Sequence, residues 1–271
     1  MAGRLEGKTA LVVGAGSVGP GWGNGKATSV LFAREGAQIF CVDINQAAAE
    51  ETAGIIRGEG GKAEAYAADV SKAEPVEAMV GAAHQALGRI DILHNNVGIV
   101  EVGGPVEACE ESWDRVMDVN LKSMFLTCKH VLPIMEAQFE THGTVGAIVN
   151  IASIAGIRYT GVPYISYNAS KAAVIQFTRG VALQYAKKGI RANSILPGLM
   201  HTPMIREPLK DAYAGGDFDK MVELRDAQCP TGKMGDAWDV AYAGLYLASE
   251  EARYVTATEL LVDGGITAKF A

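Results

Sequence analysis

The chain is expected to fold as an α/β protein with one doubly wound sheet, about seven parallel strands with helices on both faces. Short apolar runs rich in β-branched residues alternate with helix-length stretches from residue 9 to residue 262, the pattern of successive βαβ units. The runs look buried along their length, as strands covered on both faces must be. Gly is abundant at 32 residues, and many of them close a strand-like run where the chain must turn tightly into a helix. No linker interrupts the alternation, so residues 1–271 read as a single domain.

Taken in order, TALVV (9–13) is the first strand, followed by GAGSVGPGWGNGKA and a helix carrying Ala27, Val30, Leu31 and Ala33. QIFCV (38–42) is the second strand, closed by Asp43, and an Ala- and Glu-rich helix follows to about Arg57. Residues 62–67 form a third strand, 73–87 a helix, and 90–93 a fourth strand running into His94-Asn95-Asn96-Val97-Gly98. A long helical stretch covers 110–137, with Trp113, Val116, Met117, Leu121, Met124, Phe125 and Leu126 as its apolar positions. The fifth strand is 146–152, and a helix starting near Tyr167 carries Val174, Phe177, Val181 and Tyr185. The sixth strand, 191–196, stops at Pro197-Gly198; a helix over 236–248 and a strand over 259–262 complete the pattern.

Composition narrows the function classes. A formal charge of -7 without a basic stripe argues against a nucleic-acid partner. No apolar run approaches the ~20 residues of a membrane span, and the apolar run near the N-terminus is too short for a secretory leader. Cys41, Cys109, Cys128 and Cys229 form no Cys-x-x-Cys pair, and the five histidines lack metal-ligand spacing. A cytoplasmic protein without a metal site is expected.

Two stretches carry chemistry. Between the first strand and its helix, Gly14, Gly16, Gly19, Gly21, Gly23 and Gly25 crowd one turn. Such a loop lets a pyrophosphate approach the backbone and the helix N-terminus. Asp43, ending the second strand, can accept both ribose hydroxyls of an adenosine and repels a 2′-phosphate, which favours NAD over NADP. Asp69 suits a similar place at the adenine edge. The second stretch is 148–171, where a strand ends at Ser153 and a helix presents Tyr167 and Lys171. Four residues apart, those two share a helix face, and with a serine they can move a proton at a carbonyl.

These features stand in a recognisable order: Gly14 with Gly23-Asn24-Gly25, Asp69-Val70, Asn95-Asn96-Val97-Gly98, Asn120, Ser153, Tyr167-Asn168-Ala169-Ser170-Lys171, Pro197-Gly198 with Thr202, and Val262-Asp263-Gly264-Gly265. Over essentially its whole length the chain resembles the short-chain dehydrogenase/reductase family, in its Tyr-x-x-x-Lys branch, with a Rossmann-type fold. The resemblance implies an NAD-dependent interconversion of a secondary alcohol and a ketone. Tyr167 is then the acid/base, its pKa lowered by the Lys171 ammonium and by a positive nicotinamide ring. Ser153 polarises the substrate oxygen, Lys171 also holds the nicotinamide ribose, and Asn120 keeps a water near the lysine. Implied cofactor contacts are Gly14, Gly23, Asn24, Gly25, Asp43, Ile44, Asp69, Val70, Asn96, Val97, Gly98, Tyr167, Lys171, Pro197, Gly198, Leu199 and Thr202. Tyr164 is rejected as the acid/base, because Asn168 rather than a lysine stands four residues on.

The first loop departs from the pattern. Residues 15–22 make it longer than usual and similar to that of enoyl-carrier-protein reductases, although those space tyrosine and lysine more widely. Enoyl or imine reduction, and a non-catalytic dinucleotide sensor, are therefore the alternatives. Trp22 is expected either to pack over the cofactor or to anchor this loop, packing being the role that suits a tryptophan. The substrate is expected to meet Ile99, Val100, Glu101, Ile154, Ile157, Tyr159, Val162, Pro163, Leu199, Met200, Met204 and Ile205, with Arg158 or His201 available to an anionic group. That lining suits a mainly apolar small-molecule alcohol or ketone. Residues 203–228 are expected to form a lid, and the helices at 110–137 and 167–187 to pair between subunits in a homotetramer.

Overall fold

Along β1 (Thr9–Val13), Ala10 and Val12 enter one apolar cluster and Leu11 and Val13 another. Successive strand side chains point to opposite faces, so one strand feeds two cores. β2 (Gln38–Asp43) repeats the division, with Ile39 and Cys41 on one side and Phe40 and Val42 on the other. In this computed structural model, which describes residues 3–205, 215 and 217–269, both faces are covered by helices. α1 (Asn24–Arg34), α2 (Gln46–Gly58) and α8 (Ala237–Ala248) cover one face. α3 (Ala73–Leu87), α5 (Ser123–His142) and α6 (Ile165–Tyr185) cover the other.

The remaining strands are β3 (Ala63–Ala67), β4 (Ile92–Asn95), β5 (Gly146–Ile151), β6 (Ile190–Pro197) and β7 (Glu259–Val262). The seven form one sheet in the order β3-β2-β1-β4-β5-β6-β7, every pair parallel. The expected fold class is therefore observed. β1, β4, β5 and β6 are buried from end to end, whereas the edge strands β3 and β7 are partly exposed. The chain order reverses between β1 and β4. In such sheets the crevice beyond the strand C-termini at the reversal is the natural ligand site.

Two elements differ from expectation. The fourth strand spans Ile92–Asn95 rather than 90–93. Ile90 is held by the Gln138 side chain, through its N–H (2.8 Å) and its carbonyl (2.9 Å), and Asp91 accepts from the Thr9 N–H at 2.9 Å. Asp91 also bonds both neighbouring strands through its backbone, donating to the Thr9 carbonyl at 3.1 Å and accepting from the Ala147 N–H at 2.9 Å, so these residues clamp the start of the sheet just ahead of β4. The stretch expected over 110–137 is α4 (Glu110–Met117), a π-turn over Asp118–Lys122, and then α5, which runs on to His142. The widened turn carries Asn120, whose amide bonds the Ile99 backbone twice, accepting at 2.8 Å and donating at 2.9 Å. That pull accounts for the local departure from α-helical pitch.

Candidate active site

β1 ends in Gly14, whose φ of +82° favours glycine and where a Cβ would lie 2.9 Å from Val97. In the first turn of α1, a Cβ on Gly25 would stand 1.8 Å from the Gly14 carbonyl oxygen. The strand end and the helix start therefore touch through bare backbone. α1 begins with Gly23 as N-cap, without a side-chain cap and without an acid in its first turn. Its leading N–H groups and positive dipole end are thus disposed toward an anion. The Asn24 side-chain oxygen beside them is buried without a hydrogen-bond partner. This cradle fits a dinucleotide's pyrophosphate.

The long loop lines the cleft with Gly16, Ser17 and Val18 and is fastened at Trp22. Trp22 packs on Trp238 at 4.8 Å between ring centroids, and the Lys26 ammonium sits 5.2 Å from the Trp22 ring while pairing with Glu51 at 2.5 Å. Trp22 thus anchors the loop to α8.

At the end of β2, Asp43 accepts from the Gly16 N–H (3.1 Å) and the Asn45 N–H (3.0 Å), one bond on each oxygen. Each oxygen keeps lone-pair capacity for a hydroxyl. Ile44 projects from the rim, 73% exposed, and Val70 is buried. Beyond β3, Asp69 accepts from the Ser71 hydroxyl (2.6 Å) and N–H (3.0 Å), which hold its carboxyl below the usual range.

β5 delivers the other end of the cleft. Ser153 follows it directly, and its hydroxyl both caps the short turn over Ile154–Gly156, accepting from the Ala155 N–H at 3.1 Å, and hydrogen-bonds Tyr167. A Cβ on Gly156 would lie 2.8 Å from the α6 backbone, and Asn168 donates to the Ala155 carbonyl at 2.7 Å, so this turn is locked against α6. Lys171 is buried, donates to the Ile151 carbonyl at 2.8 Å, and stands 5.6 Å from the Tyr167 ring centroid. Asn120 also donates to the Ser170 hydroxyl at 3.1 Å, and a Cβ on Gly98 would come within 3.1 Å of the Lys171 ammonium.

Burial pushes the Tyr167 hydroxyl up to about 12, against the Ser153 hydrogen bond and the Arg225 charge, which draw it down. In the chain by itself the expected lowering is therefore reversed. The same enclosure pushes Lys171 down to about 8, because an apolar site disfavours its ammonium. Tyr164 packs edge-on against Tyr167 at 5.3 Å, and its hydroxyl is bonded to Thr160.

These elements surround one cleft of about 350 Å³. Gly14, Gly23, Asn24, Asp43, Ile44, Asp69, Val70, Asn96, Val97, Gly98, Ser153, Tyr167, Lys171, Pro197, Gly198, Leu199 and Thr202 are in its wall, while Gly25 and Asn120 stand just behind it. Among the expected substrate residues, Ile99, Val100, Ile154, Leu199, Met200, Met204 and Ile205 line it. Glu101 does not; it binds Arg115 and Ser112. Ile157 and Tyr159 face solvent at 42% and 75% exposure, and Val162 is buried beneath the wall. Arg158 reaches the Thr267 carbonyl, and exposed His201 lies against Phe218. Of the expected lid, Pro203–Ile205 is a 3₁₀ turn and Phe218–Gln228 is α7, while 206–214 and 216 lie outside the described residues.

Sequence reasoning missed two features. Arg225, on α7, is buried in the cleft wall. Behind the strand ends, Asn95 donates to Asn150 (2.9 Å) and accepts from Thr127 (3.0 Å), and Asn150 donates to Thr178 (2.8 Å). Only the Asn95 side of that chain carried a signal, as part of Asn95-Asn96-Val97-Gly98.

Residues 20–267 match the family model described as enoyl-(acyl carrier protein) reductase. The chain is 38% identical over 271 residues to the cyclohexanol dehydrogenase of an Acinetobacter species, covering 99% of this chain and 98% of that one. It is 38% identical over 263 residues to the 3-oxoacyl-[acyl-carrier-protein] reductase of Thermotoga maritima, covering 97% and 99%. A solved Burkholderia xenovorans structure, assigned to the short-chain dehydrogenases/reductases, superposes with a TM-score of 0.93 at 48% identity, covering 100% of both chains. No helix among the described residues is long and apolar enough to cross a membrane. With fold, cleft and these relatives in agreement, the chain belongs to the short-chain dehydrogenase/reductase family, oxidoreductases that typically bind a nicotinamide dinucleotide.

Proposed function

We propose that this oxidoreductase uses NAD to interconvert a secondary alcohol and a ketone. The observation that carries the reading is the meeting of Ser153, Tyr167 and Lys171 at one end of a cleft whose other end holds the open N-terminus of α1 and Asp43. A bound nicotinamide supplies the hydride acceptor or donor. For its pyrophosphate we assign Gly14, Gly23, Asn24 and Gly25. Asp43, Ile44, Asp69 and Val70 are assigned to the adenosine, and Asn96, Val97, Gly98, Tyr167, Lys171, Pro197, Gly198, Leu199 and Thr202 to the nicotinamide half.

In reduction the Tyr167 hydroxyl donates its proton to the substrate oxygen; in oxidation the same oxygen takes it back. Ser153 donates a hydrogen bond to that oxygen as negative charge develops. Lys171 places a cation beside Tyr167 and so favours the tyrosinate, while Asn120 keeps water next to the lysine. Asp43 sets the choice of cofactor: its carboxylate accepts ribose hydroxyls and opposes a 2′-phosphate. Lys26, in the first turn of α1, is already paired with Glu51.

The test is a dehydrogenase screen over secondary alcohols with NAD and NADP, read by absorbance of the reduced cofactor. Turnover that survives Tyr167→Phe would sink the mechanism, and a preference for NADP would sink the role of Asp43. A second reading, enoyl reduction, is favoured by the long glycine loop and the family model's description. Activated alkenes and imines in the same screen separate the two.

We further read 1–271 as one domain acting in the cytoplasm as a homotetramer, with 203–228 as the substrate lid. Exposed Trp113, Phe125 and Leu183 on α4, α5 and α6 support pairing between subunits. A monomer in solution scattering would overturn that assembly.

A further inference from the structure

The long first loop meets a distant part of the chain. A Cβ on Gly19 would stand 3.7 Å from the Pro203 Cβ, and one on Gly21 would stand 3.5 Å from the Pro203 Cγ. The tip of the loop therefore faces the 3₁₀ turn Pro203–Ile205 across a slot that a methyl group would fill. Both sides belong to one cleft: Gly16, Ser17 and Val18 line it from the loop, and Thr202, Met204 and Ile205 from the turn. Gly14 and Gly23, assigned to the pyrophosphate, flank the loop, and Thr202, assigned to the nicotinamide half, directly precedes Pro203. The slot thus falls at the junction of the two halves of the site.

Loop and turn are mounted on the same element. Trp22, at the end of the loop, packs on Trp238 in the first turn of α8, and the Lys26 ammonium donates to the Gly21 carbonyl at 3.4 Å. On the other side Gly235, two residues before α8, donates to the Leu199 carbonyl at 3.2 Å and accepts from the His201 N–H at 2.8 Å. A capping box of Asp236 with Asp239 fixes that helix start in turn. Between its mounts the loop is light. It has glycine at 16, 19 and 21, and the Ser17 hydroxyl closes its tip by donating to the Gly19 carbonyl at 2.8 Å. Such a loop swings on a few glycine dihedrals without unpacking a core. We infer that residues 19–21 and Pro203 are the two edges of a gate over the cleft, and that its opening sets the rate of cofactor exchange. This rests on the reading of the cleft as a dinucleotide site and gives the long loop its role there.

The test introduces Gly19→Cys and Pro203→Cys together in full-length protein carrying Cys109→Ser, which removes an exposed native thiol. A Cβ separation of 3.7 Å suits a disulfide, so oxidation should join loop to turn. The readout is release of the reduced cofactor, NADH or NADPH, whichever the parent binds, followed by its fluorescence on mixing with excess oxidised cofactor; no turnover is involved. Linked after loading, the protein should release the cofactor on the order of 100-fold more slowly than when reduced. Linked while empty, it should take the cofactor up correspondingly slowly, and a reducing thiol should restore both rates. Two single variants probe the gate without a covalent bond. Gly19→Ala puts a methyl group into the slot and should slow release about 3-fold, whereas Trp22→Ala unmounts the loop and should speed it about 10-fold. Cofactor binding by the reduced double variant reports that it is folded. Cysteines that fail to cross-link, linked protein that exchanges cofactor at the reduced rate, or release unchanged in both single variants overturns the inference. In those cases only the gate fails. If the parent takes up neither NADH nor NADPH, the reading of the cleft fails instead.

Discussion

The two halves of the cleft are built from different materials. The half assigned to the dinucleotide is mostly backbone: the Gly14–Gly25 contact, the uncapped start of α1, and carboxylates at strand ends. The half around Tyr167 is mostly side chains from the loops after β4, β5 and β6 and from α7. Backbone sites follow from where strands stop, so their positions survive wide changes in sequence. Side-chain sites depend on which way each loop residue points, and that can differ among members of one family. This contrast fits a family whose members share a fold while the relatives carry names as different as cyclohexanol dehydrogenase and 3-oxoacyl-[acyl-carrier-protein] reductase.

The contrast can be broken at several points. The largest effect is expected from Tyr167→Phe, which removes one oxygen from the side-chain half. The turnover rate should fall on the order of 10³-fold, while NAD affinity measured by calorimetry changes little. Parallel losses of both would mean that the two halves are not separable. Next comes Gly25→Ala. Its Cβ would stand 1.8 Å from the Gly14 oxygen, so strand end and helix must part. NAD binding should weaken by more than about 100-fold, as expected of a cradle that needs close backbone approach. A variant that binds normally would show that this contact is not needed.

A smaller change is expected from Asp43→Ala. The ratio of NAD to NADP efficiency should drop on the order of 10- to 100-fold as like-charge repulsion is removed. Steady-state rates with both cofactors check it.

The floor under the dinucleotide half should respond to acid. His94, on β4, is fully buried between Phe32 of α1 and Gly244 of α8, and neither ring nitrogen has a hydrogen-bond partner. Burial pushes its imidazole down to about 3. The unfolded chain, titrating near 6.5, then binds the proton that the folded chain refuses. This group's contribution to stability is present above about pH 6.5 and is lost as pH falls toward 3, by up to about 1.4 kcal/mol per unit. Urea titrations from about pH 7 to about pH 4 should find His94→Leu less acid-sensitive than the parent; equal slopes would remove His94 from the account. The smallest effect is expected from Trp22→Ala, which frees the long loop from Trp238 and should lower stability by about 1 kcal/mol.

Much of the fold is legible in local sequence patterns. The helix over Ala73–Leu87 and the strand over Glu259–Val262 stand at the limits expected for them, because apolar periodicity and bounding glycines are short-range signals. The fourth strand is shifted by two residues because Gln138, far along the chain, holds Ile90. Asn120 is singled out by its motif, yet the π-turn carrying it leaves no mark in the sequence, since the turn answers to the Ile99 backbone. Ile157 and Tyr159 look like pocket residues in a loop of that composition, but the lock between Gly156 and α6 turns them outward.

Sequence alone therefore determined the doubly wound sheet, the glycine cradle after β1 and the order in which Ser153, Tyr167 and Lys171 appear. Each is a short-range pattern tied to where a strand ends or a helix begins. Tertiary structure decided which charge enters the substrate half. No periodicity ranks Arg158, His201 and Arg225 against one another, and only the packing of α7 against the loops around it puts Arg225 in the wall and leaves the other two outside it. The physical reason is range: a backbone turn is dictated by its neighbours, whereas a pocket side chain is aimed by residues far away in the chain.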